Sequence, residues 1–190
     1  MNSDKSSLFA GVEWFYTYFL IRDLVYLSGG GMLISIWNYT LYNDLFLPIG
    51  LNFELIIFLF SSYFIGVIIT NLSLSFKIFQ LKKPGNYTSF IIAYKDMENK
   101  YSSAALNQLE RLNYHRLIGV SFGTSFLFGG ILISVVELYR KTPLTDYHYR
   151  VAVLLFILAI LSFILGYGFT KVYSKEREEM LMNFDEIKKK

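Results

Sequence analysis

Three stretches of this chain, residues 55–76, 117–136 and 151–170, run for about 20 residues each without a charged side chain. A helix of that length rises about 30 Å, the thickness of the hydrocarbon core of a bilayer. A helix on a soluble domain buries one stripe, and polar residues interrupt its apolar positions every turn or two. These runs have no such interruption. One of them would fit a buried core helix, but three within 190 residues leave too little protein to hide them. The chain therefore reads as an all-α integral membrane protein. Its charge content of 17% agrees, since soluble domains carry about 25%.

A fourth apolar region, residues 8–37, would be about 45 Å long as one helix, too long for an upright span. Two readings fit it: a single tilted helix, or an interfacial helix over 7–21 followed by a span. Trp14, Tyr16 and Tyr18 favour the second, because such side chains collect at the headgroup level. The expected organisation is one membrane domain, 1–190, with spans at about 23–41, 55–76, 117–138 and 151–171. No cleavable signal is expected, because no small-residue cleavage site follows a short apolar core.

Orientation follows from Lys and Arg, which accumulate in cytoplasmic loops. Residues 38–53 contain neither. The 77–116 loop contains seven, the tail from Lys171 six, and the N-terminal segment Lys5 and Arg22. The third loop has only Arg140, Lys141 and Arg150. Both termini are therefore expected in the cytoplasm, with the 77–116 loop and the 172–190 tail. The chain has no cysteine, so its short outer loops carry no disulfides. This sets it apart from the four-span junction and large-pore channels, whose outer loops are cystine-bound.

Pro84-Gly85 ends whatever leaves the second span. From Ala104 onward, Leu106, Leu109, Leu112 and Leu117 recur at helical spacing with no Gly or Pro before Gly119. One helix is expected over about 102–138, extending several turns into the cytoplasm. Its leucine stripe must be buried. Either the stripe packs on this protein's own loop or neighbouring subunits, or it docks a cytosolic partner. In the second case Leu106, Leu109, Leu112 and Arg111 form the contact, joined by Met180 and Phe184 of the tail. The tail alternates charge signs and reads as a helix extending the fourth span. Its terminal lysines are a solvated end or touch anionic headgroups.

Candidates for chemistry are few. Residues 119–123, GVSFG, match the serine-nucleophile pattern G-x-S-x-G. That elbow needs a strand, a sharp turn and a nearby histidine and acid, whereas these residues sit within a predicted span. His115 lies six positions upstream and off the face of Ser121, and His148 is expected across the membrane. No enzyme activity is expected. Read as small-x-x-x-small, the same residues let helices approach closely. The set Gly29, Gly30, Gly31, Gly66, Gly119, Gly123 and Gly166 is therefore assigned to helix packing or oligomerisation. The triple glycine is expected to be a contact site or a kink.

Arg22-Asp23 has two readings. With a separate interfacial helix the pair sits at the inner headgroup boundary, where Arg22 snorkels and Asp23 caps the first span. With one long helix it lies inside the membrane and becomes a functional candidate. Thr70, Asn71, Ser73 and Ser75 hydrogen-bond across helices or line a wet vestibule. No metal, no cofactor and no direct nucleic-acid contact is expected. The two histidines lie on opposite sides of the bilayer, and the basic loop is mixed with Asp96, Glu98 and Glu110. The Asn-x-Ser/Thr triplets at Asn38, Asn71 and Asn86 are read as chance.

In layout the chain resembles the small membrane subunits of bacterial anti-phage systems, in particular the KwaA-like subunits of the Kiwa system. The resemblance rests on the 14–22 entry, the 29–31 glycine span and the 106–117 arm. It implies a homo-oligomer, a tetramer being favoured, that senses phage-induced disturbance of the inner membrane. It further implies a separate cytosolic DNA-binding effector, and it transfers no catalytic residue. The expected function is a non-enzymatic sensor and anchor. The alternative is a small homo-oligomeric channel or membrane-permeabilising effector lined by Thr70, Asn71, Ser73 or the serines of the third span. A lipid-modifying enzyme or transporter ranks third, because it needs intramembrane carboxylates or histidines.

Overall fold

A computed structural model describes the backbone of residues 3–42, 53–81, 103–140 and 146–188, with side chains over 22–42, 53–81, 107–139 and 147–180. Four long helices account for nearly all of it: α1 (Ser3–Tyr42), α2 (Phe53–Leu74), α3 (Ser103–Arg140) and α4 (Asp146–Lys188). A short 3-10 turn, Lys77–Phe79, follows α2. Three of the helices, α2, α3 and α4, contain segments long and apolar enough to cross a membrane. The α3 boundaries fall within two residues of the helix expected from the leucine spacing. The tail continues α4 without a break to Lys188.

The first apolar region differs from the preferred reading. No separate interfacial helix precedes a span; α1 runs unbroken for 40 residues. The reason is local. Its sequence contains no proline and no residue in a terminating conformation near Arg22, and the backbone of three consecutive glycines stays helical once neighbouring helices cover it. Asp23 consequently lies in mid-helix and cannot act as an N-cap.

The helices alternate in direction. Gly30 faces Ser62 and Gly66 faces Tyr26, so α2 runs antiparallel to α1. Gly119 faces Gly166 and Gly130 faces Phe156, so α4 runs antiparallel to α3. Gly29 beside Ser121 and Gly129 beside Ile36 make α1 and α3 parallel. The α3–α4 contact is the most extensive, followed by α1–α2 and α1–α3, whereas α1 and α4 barely touch. Helix α3 therefore sits at the centre. Half of its apolar window is buried, against 22% for α2 and for α4.

The helices are inside-out by the standards of a water-soluble bundle. On α2 the buried residues are Ser62, Gly66, Ile69, Thr70 and Ser73. Its exposed side carries Phe60, Phe64 and Ile68, each more than half accessible. On α4, Ala152, Ala159, Gly166 and Thr170 face inward while Ile157, Ile160, Leu161, Ile164 and Leu165 face out. Such a surface in water far exceeds the few hundred Å² of contiguous apolar patch that monomers tolerate. In hydrocarbon it costs nothing, and helix association then depends on close packing and hydrogen bonds, which small residues allow.

Candidate functional site

The glycines at the centre of α1 explain why three stand together. Successive helical residues point about 100° apart, so neighbouring glycines can face different helices. Gly29 packs on the Ser121 side chain of α3, with Ser125 Oγ next nearest. Gly30 packs on the Ser62 carbonyl and Gly66 amide of α2. Gly31 turns toward the Phe58 ring and Ser62. Any side chain at Gly30 would collide with backbone, which cannot yield. The α1 helix is thus wedged between α2 and α3, and the glycines are contact points rather than a kink. Gly119 and Gly166 make the equivalent contact between α3 and α4: a methyl on Gly119 would stand 2.6 Å from the Gly166 nitrogen. Gly123 packs on the Phe163 ring.

Around this centre runs a seam of buried hydroxyls. Ser125 Oγ donates to the carbonyls of Gly29 at 2.8 Å and Ser121 at 2.9 Å, a three-centre bond joining α3 to α1. The Ser73 and Thr124 hydroxyls bond to each other across α2 and α3. Each also lies within bonding distance of a carbonyl of its own helix, Ile69 for Ser73 and Val120 for Thr124, so one hydroxyl donates to its carbonyl while the other donates across the gap. The oxygens of Ser62, Thr70 and Ser121 are buried without a hydrogen-bond partner among the described residues. Thr70 therefore faces the helix interface and lines no vestibule within one chain. Asn71 lies on the exposed side of α2 and donates to the Val67 carbonyl. Ser121, the serine of G-x-S-x-G, is buried in mid-helix against Gly29, while His115 stacks on Phe169 at 4.9 Å.

One end of the seam is charged. The Arg116 guanidinium is buried; Nη2 donates to the Phe79 carbonyl at 2.7 Å and Nη1 to Asn113 Oδ1 at 3.0 Å. The first bond pins the turn after α2 onto α3 and the second holds the guanidinium against its own helix; Phe79 itself is buried against Phe163. Arg177 and Tyr173 of α4 are buried close enough to feel the charge of Arg116, and Tyr173 also feels Glu110. Arg22 of α1 reaches the same neighbourhood, acting on Tyr114. Asp23 accepts from Tyr63 Oη at 3.3 Å, and the Arg22 guanidinium lies 6.0 Å from the Tyr26 ring centre. The Arg22-Asp23 pair, its side chains 40% and 34% exposed, therefore sits at the rim of a polar cluster to which all four helices contribute.

The other end holds a second ionisable pair. His148 Nδ1 at the start of α4 lies 3.0 Å from Glu137 Oε1 near the end of α3, and Glu137 is 5% exposed. Tyr39 and Tyr147 flank the imidazole, with ring centres 6.0 and 6.1 Å from it. Arg116 and Glu137 stand 21 positions apart on α3, a rise of about 31 Å that matches the bilayer core.

Beside the Tyr39–Tyr147 end, α1 and α4 diverge and leave a lateral groove of about 670 Å³ floored by Phe122, Phe126 and Ile133 of α3. Its walls are Leu27, Met32 and Ile36 on one side and Val151 and Leu155 on the other.

The expected docking stripe fares differently. Leu109 is 2% exposed and Leu117 7%, so both are already covered by their own chain. Leu112 and Met180 are half-buried and Arg111 is exposed. The side chains of Leu106 and Phe184 lie outside the described residues. Spacing reveals that a face is apolar but not what covers it, and α4 packs along α3 more extensively than any other helix. Sequence reasoning missed the Glu137–His148 pair, although their nearly symmetric placement about the short α3–α4 connection was a usable signal. It also missed Arg116 on Phe79, which has none. Among the described residues no cluster of His, Asp or Glu suits a metal. Comparison with protein-family models, curated proteins and solved structures found no match to this chain.

Proposed function

We propose that this protein is a non-enzymatic, oligomeric membrane sensor and anchor of a bacterial inner membrane, of the kind used in anti-phage defence. In this reading α1 is a fourth span, both termini are cytoplasmic, and the α3–α4 extensions recruit or regulate a cytosolic, DNA-binding effector. A tetramer is the favoured assembly.

The observation that carries the reading is the continuity of α3 and α4. Each passes as one helix from the Glu137–His148 end, through the apolar layer, into a charged extension. Arg116, Tyr173 and Arg177 are buried close to one another between the two extensions. Packed helices move as rigid bodies, so a change in tilt or spacing within the bilayer is delivered to the extension. The exposed residues there, Arg111 on α3 and Lys175 and Glu179 on α4, offer a charged surface to a partner. The uncharged stretch of α1 from Leu24 to Tyr42 runs parallel to α3, which supports the fourth span.

The test is the mass and composition of the complex purified from native-level membranes in mild detergent. A stoichiometric cytosolic protein that is lost in Arg111→Glu or Lys175→Glu supports the anchor. A bare homo-oligomer that conducts ions in planar bilayers overturns it in favour of the channel. Thr70 and Ser73 are engaged in helix packing, so that channel would need Asn71 from several copies to line it.

A further inference from the structure

We propose that the groove between α1 and α4 is a binding site for one acyl chain of a membrane phospholipid, its headgroup lying at Tyr39 and Tyr147. The proposal rests on the membrane reading above and adds a ligand site to it.

The polarity of the groove is ordered along its length. From Leu27 to Ile36 the walls are apolar, and the two serines there present no free donor. Ser28 Oγ is engaged with the Val25 carbonyl at 3.1 Å, and Ser35 Oγ with the Gly31 carbonyl at 2.9 Å. The polar groups come only at the end, where Tyr39 and Tyr147 meet with ring centres 6.4 Å apart above the Glu137–His148 pair. That end coincides with the last turn of α1 and the first turn of α4, the height at which phenol rings meet headgroups. An apolar trough closed by hydrogen-bonding groups at the interface has the same order of polarity as a lipid. Its volume of about 670 Å³ falls within the range of small-ligand sites. Its lining on α3 and α4 lies within their apolar segments, so in a bilayer a chain reaches the groove from the hydrocarbon.

The groove is also placed to matter. Its floor is α3, the helix that continues into the charged extension, and its wall residue Leu155 belongs to the packed cluster of Ile133 and Ala152. A chain in the groove fills the space between α1 and α4, and its loss lets them close. The site thus supplies a means by which lipid disturbance reaches α3 and α4.

The experiment reconstitutes the full chain in phosphatidylcholine vesicles doped with phosphatidylcholine carrying a mid-chain diazirine, followed by irradiation and peptide mapping. The expected result is labelling of Met32, Phe126 and Leu155 several-fold above the outward-facing Phe60 and Ile157. Ser35→Phe and, independently, Met32→Trp fill the groove and should abolish that excess while leaving the outer labelling unchanged. Groove labelling no greater than outer labelling in the unaltered protein overturns the site, whether or not either variant folds. A second copy seated in the groove would exclude lipid from Met32 and Leu155, so that their labelling falls below that of Phe60 and Ile157, and this overturns the site in favour of a subunit interface. Absence of adducts on Phe60 and Ile157 as well would be a failure of the membrane reading itself, distinguishable from failure of the groove alone.

Discussion

Ser125 Oγ lies 2.8 Å from the Gly29 carbonyl, linking positions 96 residues apart. The bond exists because Gly29 has no side chain to hold α3 away, and because a helical carbonyl in a bilayer has no water to turn to. Interhelical hydrogen bonds of this kind contribute about 0.6 kcal/mol on average in membranes. Ser125→Ala should therefore lower thermal stability in detergent only slightly. A collapse of the fold would mean that the seam carries more than close packing.

The glycine contacts predict a sharp contrast at identical chemistry. Gly30→Ala places a methyl into the Ser62 carbonyl, while Gly168 has no atom near its missing Cβ. Gly30→Ala should cost about 1–3 kcal/mol by overpacking. Gly168→Ala should be neutral or stabilise by up to about 1 kcal/mol from helix propensity. Melting curves of the two variants in one detergent decide the matter. Equal losses would count against the α1–α2 contact as described.

Arg116 holds the turn after α2 through one bond to the Phe79 carbonyl, while a second from the same planar group steadies it on Asn113 of its own helix. Arg116→Met removes both and leaves the Phe79 carbonyl unmet, a loss of about 1.5–3 kcal/mol. Arg116→Lys should recover less than half of it, because an ammonium lacks the fork that spans both acceptors. Protease resistance just after residue 76, compared among the three proteins, is the measurement.

Glu137 and His148 should behave as a unit. Removing either alone, by Glu137→Gln or His148→Gln, leaves a buried polar partner and should cost about 3 kcal/mol. The double variant should cost clearly less than the two losses added, giving a coupling of about 0.5–3 kcal/mol. Strict additivity would show that the pair makes no energetic contact.

Topology is directly measurable because the chain has no cysteine. Single cysteines at Asn43 and Asn86 should differ on intact cells. Asn43→Cys should react with a membrane-impermeant maleimide, and Asn86→Cys should react only after the membrane is opened. The reverse pattern would invert the proposed orientation.

Much of this architecture was readable before any coordinates. Uncharged runs located α2 and the membrane segments of α3 and α4, because a chain of 190 residues cannot hide three such runs from water. The leucine spacing after Ala104 located the start of α3. The entry into α1 misled: Trp14, Tyr16 and Tyr18 suggested a break near Arg22 that the helix does not have. Aromatic residues report where a helix meets an interface, not whether it stops there.

Pairing was the part that remained hidden. Spacing showed that Gly29–Gly31, Gly66, Gly119 and Gly166 suit close approach; Gly29, Gly30, Gly66, Gly119 and Gly166 pack closely, whereas Gly31 has room for a methyl. Spacing did not show that Gly29 and Gly30 serve two different helices, or that Leu109 is covered by its own chain. Sequence by itself determined which segments favour hydrocarbon and which faces are smooth, since both are properties of a helix taken singly. Only the tertiary structure decided that α3 is the hub, that Arg116 reaches Phe79, and that α1 and α4 part to leave a groove. Those depend on which helix lies beside which, and helices in lipid choose partners through shape and a few hydrogen bonds that no single helix displays.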